Sequence, residues 1–228
     1  MTGPTRKTPV DPTHAEAVRR MVQRQLRPRG LADAAVLDAM RRVPRHRFVG
    51  PGVSIARAYG DHALPIDAGQ TISQPYVVAR MTELLRVVPG VRVLEVGTGS
   101  GYQAAVLAAL GAEVVTVERH AVLSEAAAER WAEVCPDAAI TRRVGDGSVG
   151  VADLGPFDRI VVTAAAPALP AALDEQLAAG GRLVIPLGDR RDQVLAVFRR
   201  ESDDDRLVRR DETPCRFVPL VGQQGWSE

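Results

Sequence analysis

Eighteen residues, VRVLEVGTGSGYQAAVLA (91–108), constrain the fold of this chain more than any other stretch. An apolar run, "VRVLEV" (91–96), of the kind buried on both faces of a parallel sheet, leads straight into Gly97, Gly99 and Gly101, which open an apolar helix. Glycine at those places lets the backbone turn tightly and pass close to a bound molecule with no β-carbon in the way. The chain then alternates between the two periodicities. Helices are expected at about 102–110, 122–134 and 169–178, and strands at 112–118, 138–144, 158–164, 181–188 and 193–200, with a short strand near the edge at 213–222. That order predicts an open, doubly wound, mostly parallel α/β sheet, and its consecutive C-terminal strands imply one antiparallel member. Ligands of such sheets sit beyond the carboxyl ends of the strands at the switch point.

Ahead of the sheet, residues 1–12 read as a loose tail rich in Thr and Pro. From Thr13, a candidate N-cap, Val18, Met21, Val22 and Leu26 recur at helical spacing until Arg27-Pro28 stops them. A second short helix starts near Asp33, carries Val36, Leu37 and Met40 on one face, and ends before Val43-Pro44. An irregular segment follows to Ser73, and then a helix over Tyr76–Val87. With 228 residues the expectation is one domain over 13–228, in which 13–75 hold the N-terminal helices and a long loop and 76–222 the α/β core.

The glycine turn is not a dinucleotide fingerprint, because Tyr102 stands where the third glycine belongs. Nor does it carry the lysine of a phosphate loop. Glu118 ends the next strand, where a carboxylate accepts both hydroxyls of a ribose; a surface acid opening the next helix is the plainer reading. Asp146, in "VGDG" with Gly147, sits where it accepts from an adenine amino group, unless "GDG" is simply a turn. Together these features describe an adenosine site without a pyrophosphate. Glu95 stands just before the glycines, and a carboxylate there is costly unless it is hydrogen-bonded or balances a positive charge. A sulfonium ligand supplies such a charge.

Charge narrows the partners. Lys and Arg number 29 against 28 Asp and Glu, a net +1, so no overall field holds a nucleic-acid backbone. Two cysteines, Cys135 and Cys215, make neither a disulfide framework nor a metal quartet, so ordinary thiols in a reducing compartment and no metal are expected. With no export segment and no spanning run, the expected address is the cytoplasm, away from membranes.

Beyond these local readings the chain resembles the protein-L-isoaspartate O-methyltransferases from about Val18 to Val221. The likeness rests on "VPRHRFV", "AYGDHALPIDAGQTISQPYVVARMTELL", "VLEVGTGSGYQAAVLA", "VTVER", "GDG", "PFDRIVVTAAAPALPAAL", "GGRLVIPLG" and "RFVPLV". It implies a Rossmann-like fold dependent on S-adenosylmethionine, with S-adenosylhomocysteine as product. It implies an enzyme that methylates the free carboxylate of isoaspartyl residues, and D-aspartyl residues less well, in age-damaged proteins and peptides. The ester then collapses to a succinimide whose hydrolysis returns some normal aspartate. A monomer is expected.

Carried onto this sequence, the resemblance makes Glu95, Gly97, Thr98, Gly99, Ser100, Gly101, Glu118, Asp146 and Gly147 the cofactor side. Ser73 becomes the catalytic residue, and Asp61, Ala63, Leu64, Pro65, Ile66, Thr71, Ile72, Gln74, Phe217, Val218 and Val221 the substrate side. Val221 is a departure, since some relatives have threonine there. A carboxylate acceptor is already ionised at neutral pH, so the reaction needs alignment and loss of water rather than a general base. Ser73 suits a hydroxyl donor orienting one carboxylate oxygen; nothing around it makes a nucleophile elbow. Asp61 either orders the loop or meets the peptide, and His62 reads as a loop histidine. Two alternatives stay open: methylation of a dedicated aspartyl residue in a biosynthetic peptide, and a cofactor-binding homologue without activity.

Overall fold

The computed structural model describes residues 12–202 and 206–227, so all of the expected tail except Pro12 lies outside the described residues. Thr13 caps α1 (His14–Met21) in a reciprocal capping box with Glu16. The expected continuous helix to Arg27 is a composite instead. After Met21 the chain widens into a π-helical turn at Val22–Leu26 and tightens into a 3-10 turn at Arg27–Arg29. Pro28 has no N–H to continue the ladder, and its ring crowds the preceding turn. Asp33 caps α2 (Ala34–Arg42) with bonds from the amides of Ala35 and Val36.

The segment read as irregular contains more order than its composition shows. It holds a 3-10 turn at Arg45–Phe48, a single helical turn α3 (Ile55–Ala58), and a two-residue ladder of β1 (Leu64–Pro65) with β2 (Thr71–Ile72). Arg45 is fully buried, and its Nε donates to Ala58 O at 2.8 Å. Gln25 Nε2 donates to the next carbonyl, Tyr59 O, at 2.9 Å. These bonds tie the root of the loop to the N-terminal helices. The ladder in turn delivers Ser73 to the start of α4 (Pro75–Leu85), where Pro75 occupies the first turn without leaving a donor unpaired. That helix ends two residues earlier than expected, at Arg86 in the left-handed region.

Downstream come β3 (Arg92–Val96), α5 (Tyr102–Ala109), β4 (Glu113–Glu118), α6 (Ala121–Val134), β5 (Ile140–Val144) and β6 (Phe157–Val162). They are followed by α7 (Ala171–Glu175), β7 (Leu177–Gly188), β8 (Gln193–Arg200) and β9 (Leu207–Cys215). The large sheet has the order β5-β4-β3-β6-β7-β8-β9. Every pairing from β5 to β7 is parallel, and β8 runs antiparallel to both of its neighbours. Strand order reverses between β3 and β6, directly beyond which the glycine turn lies.

Two expectations need correction here. The helix at 169–178 is only the turn and a half of α7, because Leu177 already pairs with Phe157 and begins β7. The strand expected at 213–222 is displaced: β9 covers 207–215, and residues beyond it make only isolated bridges at Pro219 and Val221. Pro214 and Pro219 cannot donate to a ladder, whereas the charged run "LVRRDETPC" suits an edge strand facing water.

Alternation along the inner strands separates two cores. Val93, Val114, Val161 and Val184 face α4 and α5, and there Met21, Leu26, Leu37, Met40 and Phe48 join Met81, Leu85 and Val106 in one cluster. Each such fully buried side chain stabilises the fold by on the order of 2 kcal/mol. Leu94, Val96, Val115, Val117, Ile160 and Val162 face the other way, toward Leu173 of α7. By the same parity Glu95 falls on the face of Val93.

Candidate active site

The loop after β3 is fixed from several sides. Gly97 has φ +95°, and a β-carbon on it would lie 2.4 Å from Thr163 Oγ1. That hydroxyl, at the end of β6, donates to Gly97 O at 2.6 Å. From below, Trp131 Nε1 of α6 donates to Gly101 O at 2.9 Å, and Arg130 donates to Ser100 O at 3.2 Å. The Gly99 amide donates to Glu118 Oε2 at 2.9 Å, while the His120 amide donates to Glu118 Oε1 at 3.0 Å. A third tie runs through the sheet: Thr116 Oγ1 donates to Glu95 Oε2 at 2.6 Å and lies 2.6 Å from Thr98 Oγ1.

Beyond the strand ends lies a cavity lined by Val96, Gly97, Gly99, Val117, Glu118, Gly147, Thr163 and Ala164, roofed by Gln70 and Thr71 and walled by residues 218–221. It is a slot between small and apolar groups, with the Glu118 carboxylate, Arg119 and His120 at one end. Gly147 belongs there for a steric reason, since a β-carbon would come within 2.5 Å of Val96 Cγ1. A second, wider cleft of about 270 Å³ opens beside it, lined by Arg29, Ala63, Ser73, Gln74, Tyr76, Cys215, Arg216, Phe217 and neighbours. Between the two sits a small chamber that also includes Ile72, Ser73, Thr98 and Ser100. Thr71 and Thr163 border all three spaces, and so mark where they meet. No Asp, Glu, His or Lys lines the wider cleft among the described residues.

The model of the protein-L-isoaspartate(D-aspartate) O-methyltransferase family matches residues 17–225. The chain belongs to this family. A curated protein-L-isoaspartate O-methyltransferase of Methylorubrum extorquens (strain PA1) is 52% identical over 227 residues, covering 100% of this chain and 97% of that protein. Another, of Koribacter versatilis (strain Ellin345), is 52% identical over 212 residues, 91% of this chain and 92% of its own length. Among solved structures, one named protein-L-isoaspartate O-methyltransferase superposes with a TM-score of 0.80 at 28% identity, over 93% of this chain and 67% of its own. A Plasmodium falciparum relative in complex with S-adenosyl-L-homocysteine gives 0.77 at 25% identity, over 93% of this chain and 99% of its own. The α/β core with its seven-stranded sheet is thus the fold of a protein-L-isoaspartate O-methyltransferase, and the enzyme class follows from the family.

In this methyltransferase the expected cofactor residues divide. Gly97, Gly99, Glu118 and Gly147 stand on the cavity wall, and Thr98 and Ser100 on the small chamber. Gly101 lies one step back, capping α5 with its carbonyl held by Trp131. Glu95 does not reach the cavity. Wholly buried on the opposite face, it bonds Thr116, and its Oε1 has no partner among the described residues. Burial pushes its carboxyl up to about 8, against the Thr116 bond and with help from the Glu118 charge. Asp146 also turns away: it accepts from Ser148 N and Oγ at 2.8 and 2.7 Å and from Gln223 N at 2.7 Å. Burial raises its carboxyl, but those bonds prevail and hold it below the ordinary value.

Expected substrate residues divide likewise. Ala63, Thr71, Gln74, Phe217 and Val218 line the wider cleft together with Ser73, whose hydroxyl makes no hydrogen bond among the described residues. Ile72 borders the small chamber, and Ile66 packs toward Gly99, whose β-carbon would lie 3.8 Å from Ile66 Cδ1. Leu64 is a core residue, and Pro65 is exposed in its ladder with Thr71. Val221 walls the first cavity rather than the cleft. Asp61 lines neither space; it takes a 2.7 Å bond from Arg29 and a 3.4 Å bond from the Tyr76 amide. Sequence reasoning passed over Thr163, Arg29 and Tyr76, and placed Arg216 on the substrate side only as part of the "RFVPLV" stretch. Thr163 was legible as the end of the strand beside the switch point, but Arg29 carries no local signal.

Proposed function

We propose that the methyl donor, S-adenosylmethionine, occupies the cavity beneath the glycine loop, and that the isoaspartyl carboxylate of a damaged protein or peptide enters the cleft beside Ser73. The observation that carries this reading is the meeting of the two spaces at Thr71 and Thr163, with no Asp, Glu, His or Lys among the described residues that line the acceptor side.

The donor site fits an adenosyl group. Val96, Val117 and Leu220 offer apolar walls, and Gly99 and Gly147 leave room for a flat ring. Each Glu118 oxygen already accepts one backbone N–H and keeps a lone pair for a ribose hydroxyl. When bound, the donor supplies a methyl group on a positively charged sulfur. The protein supplies position. Ser73, projecting from the short link between β2 and α4, donates its free hydroxyl to one acceptor oxygen and leaves the other directed at the junction with the donor cavity. Because the acceptor is ionised near pH 7, no proton has to be moved, in keeping with a cleft that among the described residues has no Asp, Glu, His or Lys in its lining. Thr71 and Gln70 border the donor cavity and so help to keep water from both reacting charges.

Paired peptides that differ only in isoaspartate or aspartate at one position, offered with methyl-labelled donor, test the reading. Label should enter the isoaspartyl peptide alone; equal uptake, or uptake by neither, would remove the acceptor assignment.

A further inference from the structure

The acceptor cleft carries two cations and no carboxylate. Its charged side chains among the described residues are Arg29 and Arg216. Arg29 is pre-positioned: Nη1 donates to Asp61 Oδ2 at 2.7 Å, and the guanidinium carbon lies 3.3 Å from the centroid of the Tyr76 ring. Asp61 and Tyr76 are themselves joined through the Tyr76 amide, so the cation is anchored to the first turn of α4, next to Ser73. A guanidinium has five N–H donors, and Asp61 engages Nη1 alone. Arg216 stands exposed at the rim with no ion pair among the described residues. Asp61 balances one of the two charges, which leaves the cleft with an excess of positive charge.

Those cations are ill suited to the reacting carboxylate itself. Methylation converts that group from an anion to a neutral ester, so a tight ion pair with it would stabilise the ground state more than the transition state and slow transfer. Anchored cations in this place serve best against a second negative group that keeps its charge throughout. We propose that Arg29, with Arg216 at the rim, forms a subsite for a second carboxylate flanking the isoaspartyl residue, so that acidic peptides are the preferred acceptors. The subsite rests on the assignment of this cleft to the acceptor. Its attraction acts on binding and not on the chemical step, and salt screens it because both arginines face water.

Three isoaspartyl peptides that differ only at the flanking residue, as Glu, Gln or Lys, test it with the full chain and labelled donor. For the wild type, KM should rise from the Glu to the Lys peptide by about five- to tenfold with kcat nearly constant, and the spread should shrink at high salt. Arg29→Gln and Arg216→Gln should each narrow the spread, and the double variant should abolish it. Calorimetry with S-adenosylhomocysteine should show unchanged donor-site affinity in both variants; Arg216→Gln, at an exposed position, carries the test if Arg29→Gln disturbs the loop. Equal KM values in the wild type, or an undiminished spread in the double variant, overturn the subsite while methylation of the Gln peptide keeps the acceptor assignment. Failure of all three peptides to accept methyl overturns the acceptor assignment and the subsite with it.

Discussion

Glu118 and Gly99 are joined by a 2.9 Å hydrogen bond, from the Gly99 amide to Glu118 Oε2, that links the ends of two adjacent parallel strands. The same carboxylate therefore shapes the glycine loop and faces the cavity proposed for the donor. Glu118→Ala removes both contributions, and affinity for S-adenosylhomocysteine should fall by ~1–3 kcal/mol. Isothermal calorimetry reads this directly. Unchanged affinity would show that the carboxylate serves the loop and not the ligand.

Ser73→Ala separates positioning from binding. Turnover on an isoaspartyl peptide should drop by roughly 10²-fold, while donor-site affinity stays at the wild-type value. The pH dependence of kcat should keep its shape, because the hydroxyl does not titrate in the working range. Turnover within a factor of two of wild type would take Ser73 out of the mechanism.

Glu95 links pH to stability. Its carboxyl, pushed up to about 8 chiefly by burial, stays protonated in the folded chain where an unfolded one has lost the proton. The folded state then binds the extra proton between the ordinary carboxylate range and about pH 8, so this contribution is full at low pH and is lost as pH rises through that window. The slope is about 1.4 kcal/mol per pH unit at most. Glu95→Gln should remove it, so that the variant gains on the wild type as pH rises from about 5 to 8. Urea melts across that range decide it: parallel curves for the two proteins would mean that Glu95 does not hold its proton.

Trp131→Phe tests the support beneath the loop. It deletes the indole donor to Gly101 O and leaves that carbonyl only its helical bond from the Ala105 amide, at a cost of about 0.5–1.5 kcal/mol in unfolding free energy. Donor affinity should weaken too, because the Gly101 carbonyl belongs to the turn that opens α5.

The sheet was readable because β3, β4 and β6 are short apolar runs broken by turn residues, and the glycine turn marks the switch point without help from any distant contact. β9 was not, because an edge strand with Arg209, Arg210, Asp211 and Glu212 has the composition of a solvated loop until a neighbour supplies its ladder. The site divided along the same line. Gly97, Gly99 and Glu118 follow from strand ends and local turns. The orientation of Asp146 depends on Gln223, 77 positions away, and that of Asp61 on Arg29, 32 positions away. Glu95 is an intermediate case. Its parity with Val93 was available from the strand alternation, and it places the carboxylate behind the loop it was expected to serve directly.

The wall formed by residues 218–221 has a consequence for how the enzyme is made. These residues follow every strand of the sheet in the chain, yet they bound both the donor cavity and, at Val218, the acceptor cleft. During synthesis the glycine loop and the strands on either side of its own, β4 and β6, leave the ribosome about 55 residues before this wall does, so the cavity stays open on that side until the wall is made. The last piece of both spaces is thus held by pairing with Ala165, through the Ala165 amide to Val218 O at 2.8 Å and the Leu220 amide to Ala165 O at 2.7 Å.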